Sequence, residues 1–275
     1  MLRVERQARI LQLIHERGFI QNEELARIFD VTQATIRRDL KSLHQQNLIR
    51  LDHGGSYDIG LMESPGEPLY ETKAYVNLER KRLIGLAAAR MVNDHDTIIL
   101  DSGTTNAQIA KSLHKVPLKN VTVVTPDIMV AKELCPEEEI HVVVLGGSLR
   151  KFFYSLYGPY TLEILMNIQA NKVFLGIDAA SLEYGISNLV LDEVPIKKLM
   201  IANSQQVIIV SDSSKFNRFA PYHICGWDVI DHVISDDCLD KAHIEFFHSQ
   251  GISLDLIRGS GDNDCGDLSA TRKES

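Results

Sequence analysis

Seven short runs, TIILD, VTVVT, IHVVVLGG, KVFLGID, QVIIVSD, HVIS and ISLDLI, follow one another between Thr97 and Ile257. Most are apolar on both faces, so they must be buried on both faces. Helix-patterned segments separate most of them: LERKRLIGLAAARMV before the first, then NAQIAKSLH, DIMVAKEL, TLEILMNI, VPIKKLMIAN and LDKAHIEFFHSQ. Buried strands alternating with helices predict an α/β fold with a parallel, doubly wound sheet.

Ligands of such sheets bind beyond the carboxyl ends of the strands, and those ends share a chemistry here. Asp101, Ser102, Gly103, Thr104 and Thr105 end the first strand and open a helix. Glycine lets the backbone approach an anion, the hydroxyls donate, and the helix N-terminus adds its positive end. Asp127 follows the second strand behind Thr125 and Pro126, Gly146 and Gly147 end the third, and Asp178 ends the fourth behind Gly176. Asp212, Ser213, Ser214 and Lys215 end the fifth, and Glu193 and Lys197, at the start of the VPIKKLM helix that precedes it, would close the rim. Each alone reads as a turn, a cap or a solvated side chain. Together they offer phosphate seats, an acid at Asp178 for sugar hydroxyls and a cation at Lys215. The expected ligand is a small phosphorylated sugar or polyol, with no metal or cofactor required.

Two uses of such a site stay open. An isomerase needs a base and an electrophile, roles that Asp178, Glu193 and Lys215 can be cast in, with Lys215 also a Schiff-base candidate. A sensor needs only ligand affinity that differs between two states.

The first sixty residues favour the sensor. ERQARILQLIHERG and NEELARIF read as two helices, with Leu25, Ile28 and Phe29 of the second inward. A DVT turn follows, in which Thr32 caps a third helix, QATIRRDLKSLHQQN. There Ile36, Leu40 and Leu43 face the core, which leaves Gln33, Thr35, Arg37, Arg38 and Lys41 on the opposite face. Amides, hydroxyls and guanidiniums of this kind reach base edges and phosphates. LIRLDHGGSY then reads as a β-wing, completing a winged helix-turn-helix. Charge agrees: residues 1–56 carry a formal +2 and the remainder −10, within a net −8.

The run LARIFDVTQATIRRDLKSLHQQNLIRLDHGG resembles the N-terminal signature of the DeoR family of bacterial transcriptional regulators. The resemblance implies DNA contacts for Gln33, Thr35, Arg37, Arg38 and Lys41, with wing help from Arg50 and His53, and Asp39 reads as an acceptor that orients a neighbouring arginine rather than as a base contact. It extends over about residues 5–257 through DSGTT, TVVT, LGG and DSSKF, and implies an effector domain that resembles sugar-phosphate isomerases. Pro126 and Ala179 depart from the family pattern, where asparagine and glycine are usual. LGIDAASLEYGIS with DSSKFNR is similar to members controlling N-acetylgalactosamine and related amino-sugar use.

The expectation is therefore a repressor of a carbohydrate-catabolic operon, not an enzyme. Its partners would be operator DNA and a phosphorylated sugar or amino-sugar effector, and it would act as a homo-oligomer (dimer or tetramer) on repeated half-sites. The expected divisions are residues 1–58 for the DNA-binding domain, 59–77 for a linker, 78–257 for the effector domain and 258–275 for a disordered tail. No run reaches the roughly 18 apolar residues of a membrane span, and MLRVERQARIL lacks the apolar core of a signal peptide. Four widely spaced cysteines are expected to be free thiols in a reducing cytoplasm.

Overall fold

The computed structural model of the chain describes residues 2–46, 48–52, 54–58 and 67–258. The N-terminal unit begins with α1 (Arg3–Arg17), β1 (Phe19–Gln21) and α2 (Asn22–Ile28). It continues with α3 (Gln33–Gln45), β2 (Ile49–Asp52) and β3 (Gly55–Asp58). Thr32 caps α3, its side chain accepting the Thr35 N–H at 3.2 Å, which satisfies one of the donors a helix start leaves open. Ile36, Leu40 and Leu43 recur at one-turn spacing, and all three are buried against Ile10, Leu11 and Ile14 of α1. The wing is three-stranded, because β1 pairs with β3 beside β2. Ile28, expected inward, is exposed: α2 ends there, and Phe29 turns under toward the core in its place.

The segment expected as linker holds a helix, α4 (Tyr70–Tyr75), with Tyr70 and Thr72 buried. Then follow α5 (Leu78–Ala89), β4 (Thr97–Leu100), α6 (Thr104–Leu113), β5 (Val121–Thr125), α7 (Ile128–Leu134) and β6 (Ile140–Val144). After a hairpin of β7 (Ser148–Arg150) and β8 (Ser155–Tyr157) come α8 (Pro159–Leu165) and β9 (Ala170–Leu175). Two short strands, β10 (Ala179–Ser181) and β11 (Gly185–Asn188), precede α9 (Val194–Ala202) and β12 (Ser204–Val210). The chain ends in β13 (Tyr222–Cys225), β14 (His232–Asp236), α10 (Lys241–Gln250) and β15 (Ser253–Ile257).

Seven of these strands form one parallel sheet in the order β15-β14-β12-β9-β4-β5-β6. The chain winds outward from β4 to β6, crosses back to β9 and winds outward again, so the order reverses between β4 and β9. Alternate residues feed opposite faces. Ile98, Leu100, Phe174 and Ile208 enter one apolar layer, and Ile99, Val173, Leu175 and Ile209 the other. Truncating any one of these to alanine costs about 2–5 kcal/mol. The apolar runs are thus explained: both faces of every central strand are core.

The β7–β8 hairpin and a small antiparallel sheet of β10, β11 and β13 stand outside this sheet. Neither was expected from the sequence. Leu69 and Phe153, the latter from the hairpin turn, are buried with Ile10, Leu11 and Ile14 of α1, so the two units share one apolar cluster. Cys135 and Cys225 are free thiols as expected. Among the described residues no helix is long and apolar enough to cross a membrane. The expected tail beyond Arg258 lies outside the described residues.

Candidate functional site

The carboxyl ends of β4, β9 and β12 open onto a cavity of about 820 Å³, at the point where the strand order reverses. Its floor is Ser102, Gly103 and the first turn of α6. Gly103 takes φ +131°, a backbone that other residues rarely adopt. It stands at the N-cap with no side chain to satisfy the first-turn N–H groups, so those donors and the positive end of α6 meet the cavity. Thr104, Thr105 and Asn106 line it as well. Asn106 is wholly buried, yet neither polar atom of its amide has a hydrogen-bond partner. An unsatisfied buried polar group costs roughly 1–3 kcal/mol, and a polar ligand removes that cost.

Asp127 holds this floor from behind. One carboxylate oxygen accepts the Gly103 N–H at 2.9 Å, and the other accepts Met129 N–H at 2.7 Å and Val130 N–H at 3.2 Å, capping α7. It is wholly buried and lines no part of the cavity, and burial pushes its carboxyl up to about 6. The expectation of a ligand contact is corrected to one of positioning.

Asp101 is corrected in the same sense. It accepts the N–H groups of Ser102 (2.8 Å) and Gly176 (3.0 Å) and is ion-paired to Lys197, which fastens the end of β4 to that of β9. Lys197 lines the cavity and also donates to the Gly176 carbonyl at 2.9 Å. Burial alone would lower its pKa, but Asp101, Glu193 and Asp178 outweigh that and hold the ammonium above its ordinary value. Gly146 and Gly147 do not line the cavity; they follow the carboxyl end of edge strand β6 and lead into β7. At Gly147, φ is +139° and a Cβ would lie 2.4 Å from the Tyr157 carbonyl oxygen. Glycine is needed there for the hairpin to pack, not for a ligand.

The remaining expected residues do line the cavity. Asp178 accepts the Leu189 N–H at 3.1 Å; burial would raise its pKa, but Lys73 and Lys215 hold it below the usual carboxylate value. Glu193 accepts from Arg150 (2.5 Å), Ser155 (3.0 Å) and Asn188 (3.2 Å). The Lys215 backbone N–H donates to the Asp212 carbonyl at 3.2 Å, but its ammonium makes no hydrogen bond or ion pair among the described residues. Burial lowers its pKa despite Asp178 and Asp212 nearby. In all, eight Lys/Arg and four Asp/Glu line the cavity, the reverse of the balance in a chain of net −8. Such a concave, cationic surface gathers anions. Part of its wall belongs to the N-terminal unit, through Arg9, Gln12 and Leu13 of α1.

In that unit Gln33, Arg37, Arg38 and Lys41 of α3 are exposed on one face, as is Arg50 of β2. Thr35 is half-buried, with its hydroxyl 3.0 Å from that of Thr32. His53 lies outside the described residues. Asp39 points the other way, buried, and accepts from Arg6 at 2.7 Å and Arg3 at 3.2 Å. The arginines it holds are thus those of α1 and not the neighbouring ones expected; Arg38 donates to the Ala34 carbonyl instead.

Residues 6–58 match the DeoR-like helix-turn-helix domain, and residues 76–237 match the DeoR C terminal sensor domain. The chain belongs to the DeoR family. Relatives of this DeoR-family regulator span it almost end to end. The putative aga operon transcriptional repressor of Escherichia coli O157:H7 is 32% identical over 92% of this chain and 93% of its own. The uncharacterized HTH-type transcriptional regulator YulB of Bacillus subtilis is 33% identical over 94% and 98%. The glycerol-3-phosphate regulon repressor of Escherichia coli K12 is 31% identical over 93% and 100%. Ribose 5-phosphate isomerase A from Neisseria gonorrhoeae superposes on 50% of this chain and 53% of its own, at 17% identity and a TM-score of 0.38, too slight a likeness to bear on function.

The relatives are named regulators and repressors, and this regulator carries a DNA-reading head on a sensor domain. One of the residues cast for isomerase chemistry is also ill suited to it. Glu193 is held below the usual carboxylate value by Lys197 and Arg150 against the effect of burial, and with three donors bound it is a poor base. Sequence reasoning missed Arg150, Lys73, Lys81 and Asn106. Asn106 carried a local signal, standing one residue beyond the quoted Ser-Gly-Thr-Thr. Lys81 carried another, as the polar member of an otherwise small and apolar stripe with Ile84, Gly85 and Ala88. Arg150 carried none.

Proposed function

We propose that this DeoR-family regulator represses a carbohydrate-catabolic operon and releases its operator when a phosphorylated sugar or amino sugar enters the sensor cavity. The observation that carries the effector reading is the fully buried, unpartnered amide of Asn106 beside the open first turn of α6. The unpaired Lys215 ammonium supports it from the opposite wall. A phosphate takes the N–H groups of α6 and the Thr104 and Thr105 hydroxyls, while Asp178 meets sugar hydroxyls. The glycerol-3-phosphate name of one relative fits a phosphorylated ligand.

On the DNA side, Gln33, Thr35, Arg37, Arg38 and Lys41 read the major groove, and Arg50 follows the backbone. A homo-oligomer in the cytoplasm, at least a dimer, places two such helices on two half-sites. Residues 1–58 serve as the DNA-binding domain and residues 78–257 as the sensor.

A thermal-shift panel of phosphorylated sugars, amino sugars and polyols tests the effector reading, because ligands of the folded state raise its melting temperature. The active compound should then release DNA duplexes selected from a random pool by the same protein. A panel in which unphosphorylated sugars bind as well as their phosphates would sink the phosphate reading.

A further inference from the structure

We propose that Arg150 is the positioning residue through which the state of the cavity reaches the DNA-binding domain. Its guanidinium joins two carboxylates that belong to different parts of the molecule. Nη1 donates to Glu193 at the cavity wall (2.5 Å), and Nη2 donates to Glu67 ahead of α4 (2.6 Å). The same guanidinium lies over the Phe153 ring, 4.3 Å from its centre. Phe153 is buried among Ile10, Leu11 and Ile14, on the inner face of α1. Farther along that helix, Arg3 and Arg6 hold Asp39 of the recognition helix. A continuous line of contacts therefore runs from Glu193 through Arg150, Phe153 and α1 to α3.

The hairpin turn that carries this link is strained. Phe152 (φ +65°) and Tyr154 (φ +61°) flank Phe153 in left-handed conformations that neither side chain favours. Such residues persist only where the surroundings hold them. Here the holding contacts include those of Arg150, the Phe152 carbonyl that accepts the Tyr70 N–H at 3.2 Å, the Tyr154 carbonyl that accepts the Ile128 N–H at 3.0 Å, and Lys73 over the Phe153 ring at 5.7 Å. The remaining step rests on the effector reading above: a phosphate in the cavity competes with Glu193 for the guanidinium. When Arg150 shifts, Phe153 loses the closer of the two cations over its ring and α1 loosens from the sensor domain.

The test is hydrogen–deuterium exchange on the full chain without ligand, read by mass spectrometry. Arg150→Met, Phe153→Ala and Glu193→Gln should each speed exchange of α1 (Arg3–Arg17) about fivefold, the factor that one kcal/mol of lost local stability produces. The double variant Arg150→Met with Glu193→Gln should exchange no faster than Arg150→Met alone, since both act on one contact. Arg150→Lys, which keeps a cation, should restore part of the protection. A merely structural Arg150 would give additive effects, or faster exchange confined to residues 148–157, and either result overturns the proposal. Should Arg150→Met fail to fold, Glu193→Gln decides alone: unchanged α1 exchange overturns it. Because no ligand is present, failure here counts against the coupling and leaves the effector reading to the thermal-shift panel.

Discussion

Lys197 and Asp101 are ion-paired beneath the cavity with side chains only 4% and 2% exposed, and the pair ties the end of β4 to that of β9 where the sheet reverses direction. A fold that separates two strand ends to make room for a ligand has to hold them at a fixed spacing. This pair does so from below, which frees the first turn of α6 to face upward.

Lys197→Met leaves the Asp101 carboxylate buried and unpaired, so the sensor domain should lose about 3–5 kcal/mol. Trp227 is the only tryptophan and lies in the sensor core, so its fluorescence during urea unfolding isolates this domain. A midpoint equal to wild type would show that the pair contributes nothing to the junction.

Lys215 has the opposite profile. Its ammonium is partly desolvated and unpaired, so Lys215→Gln should leave stability unchanged or raise it. A charge-assisted hydrogen bond to a ligand contributes roughly 1.5–3 kcal/mol, which makes the expected loss of sugar-phosphate affinity about 10- to 100-fold by calorimetry. Equal affinity in the variant would remove Lys215 from the site.

Arg37→Ala and Arg38→Ala remove exposed side chains, so melting temperatures should stay within experimental scatter while operator affinity falls. If either arginine meets a phosphate, the slope of log affinity against log salt should drop by about 1. If it reads a base, the slope should hold and discrimination at one position should relax. Anisotropy titrations over a salt series distinguish the two.

Burial pushes Lys81 down to about 8 from an ordinary 10.5, against the pull of Asp212. Between those values the unfolded chain holds the extra proton, so stability contributed by this group rises with pH across that window. Urea midpoints taken there should climb in the wild type, and the climb should flatten in Lys81→Met. An anion in the cavity favours the charged form, so sugar-phosphate affinity should weaken as pH passes about 8.

The sheet and the DNA-reading head were legible because burial writes itself into local periodicity. Runs such as VTVVT have no wet face to record, and Ile36, Leu40 and Leu43 recur at the helical step. Charge partnership has no such period. Asp101, Asp127 and Lys215 look alike at strand ends, yet Asp101 meets a lysine 96 residues away, Asp127 caps a helix, and Lys215 meets no partner among the described residues. Arg150 was invisible for the same reason, since its role comes from a hairpin that brings Glu67 and Glu193 to one guanidinium. Ser102 to Thr105 were found because a phosphate seat is built from consecutive residues.

Arg9, Gln12 and Leu13 give the sensor cavity a wall that belongs to the head, and this restricts how the molecule can be re-engineered. Transplanting a foreign DNA-reading head at residue 58 would replace that wall along with the recognition helix. Such a chimera would acquire a new address and, unintentionally, a different appetite for whatever the cavity binds. Grafts that exchange only the exposed face of α3 and the wing, leaving α1 native, are the ones expected to keep the original dose response.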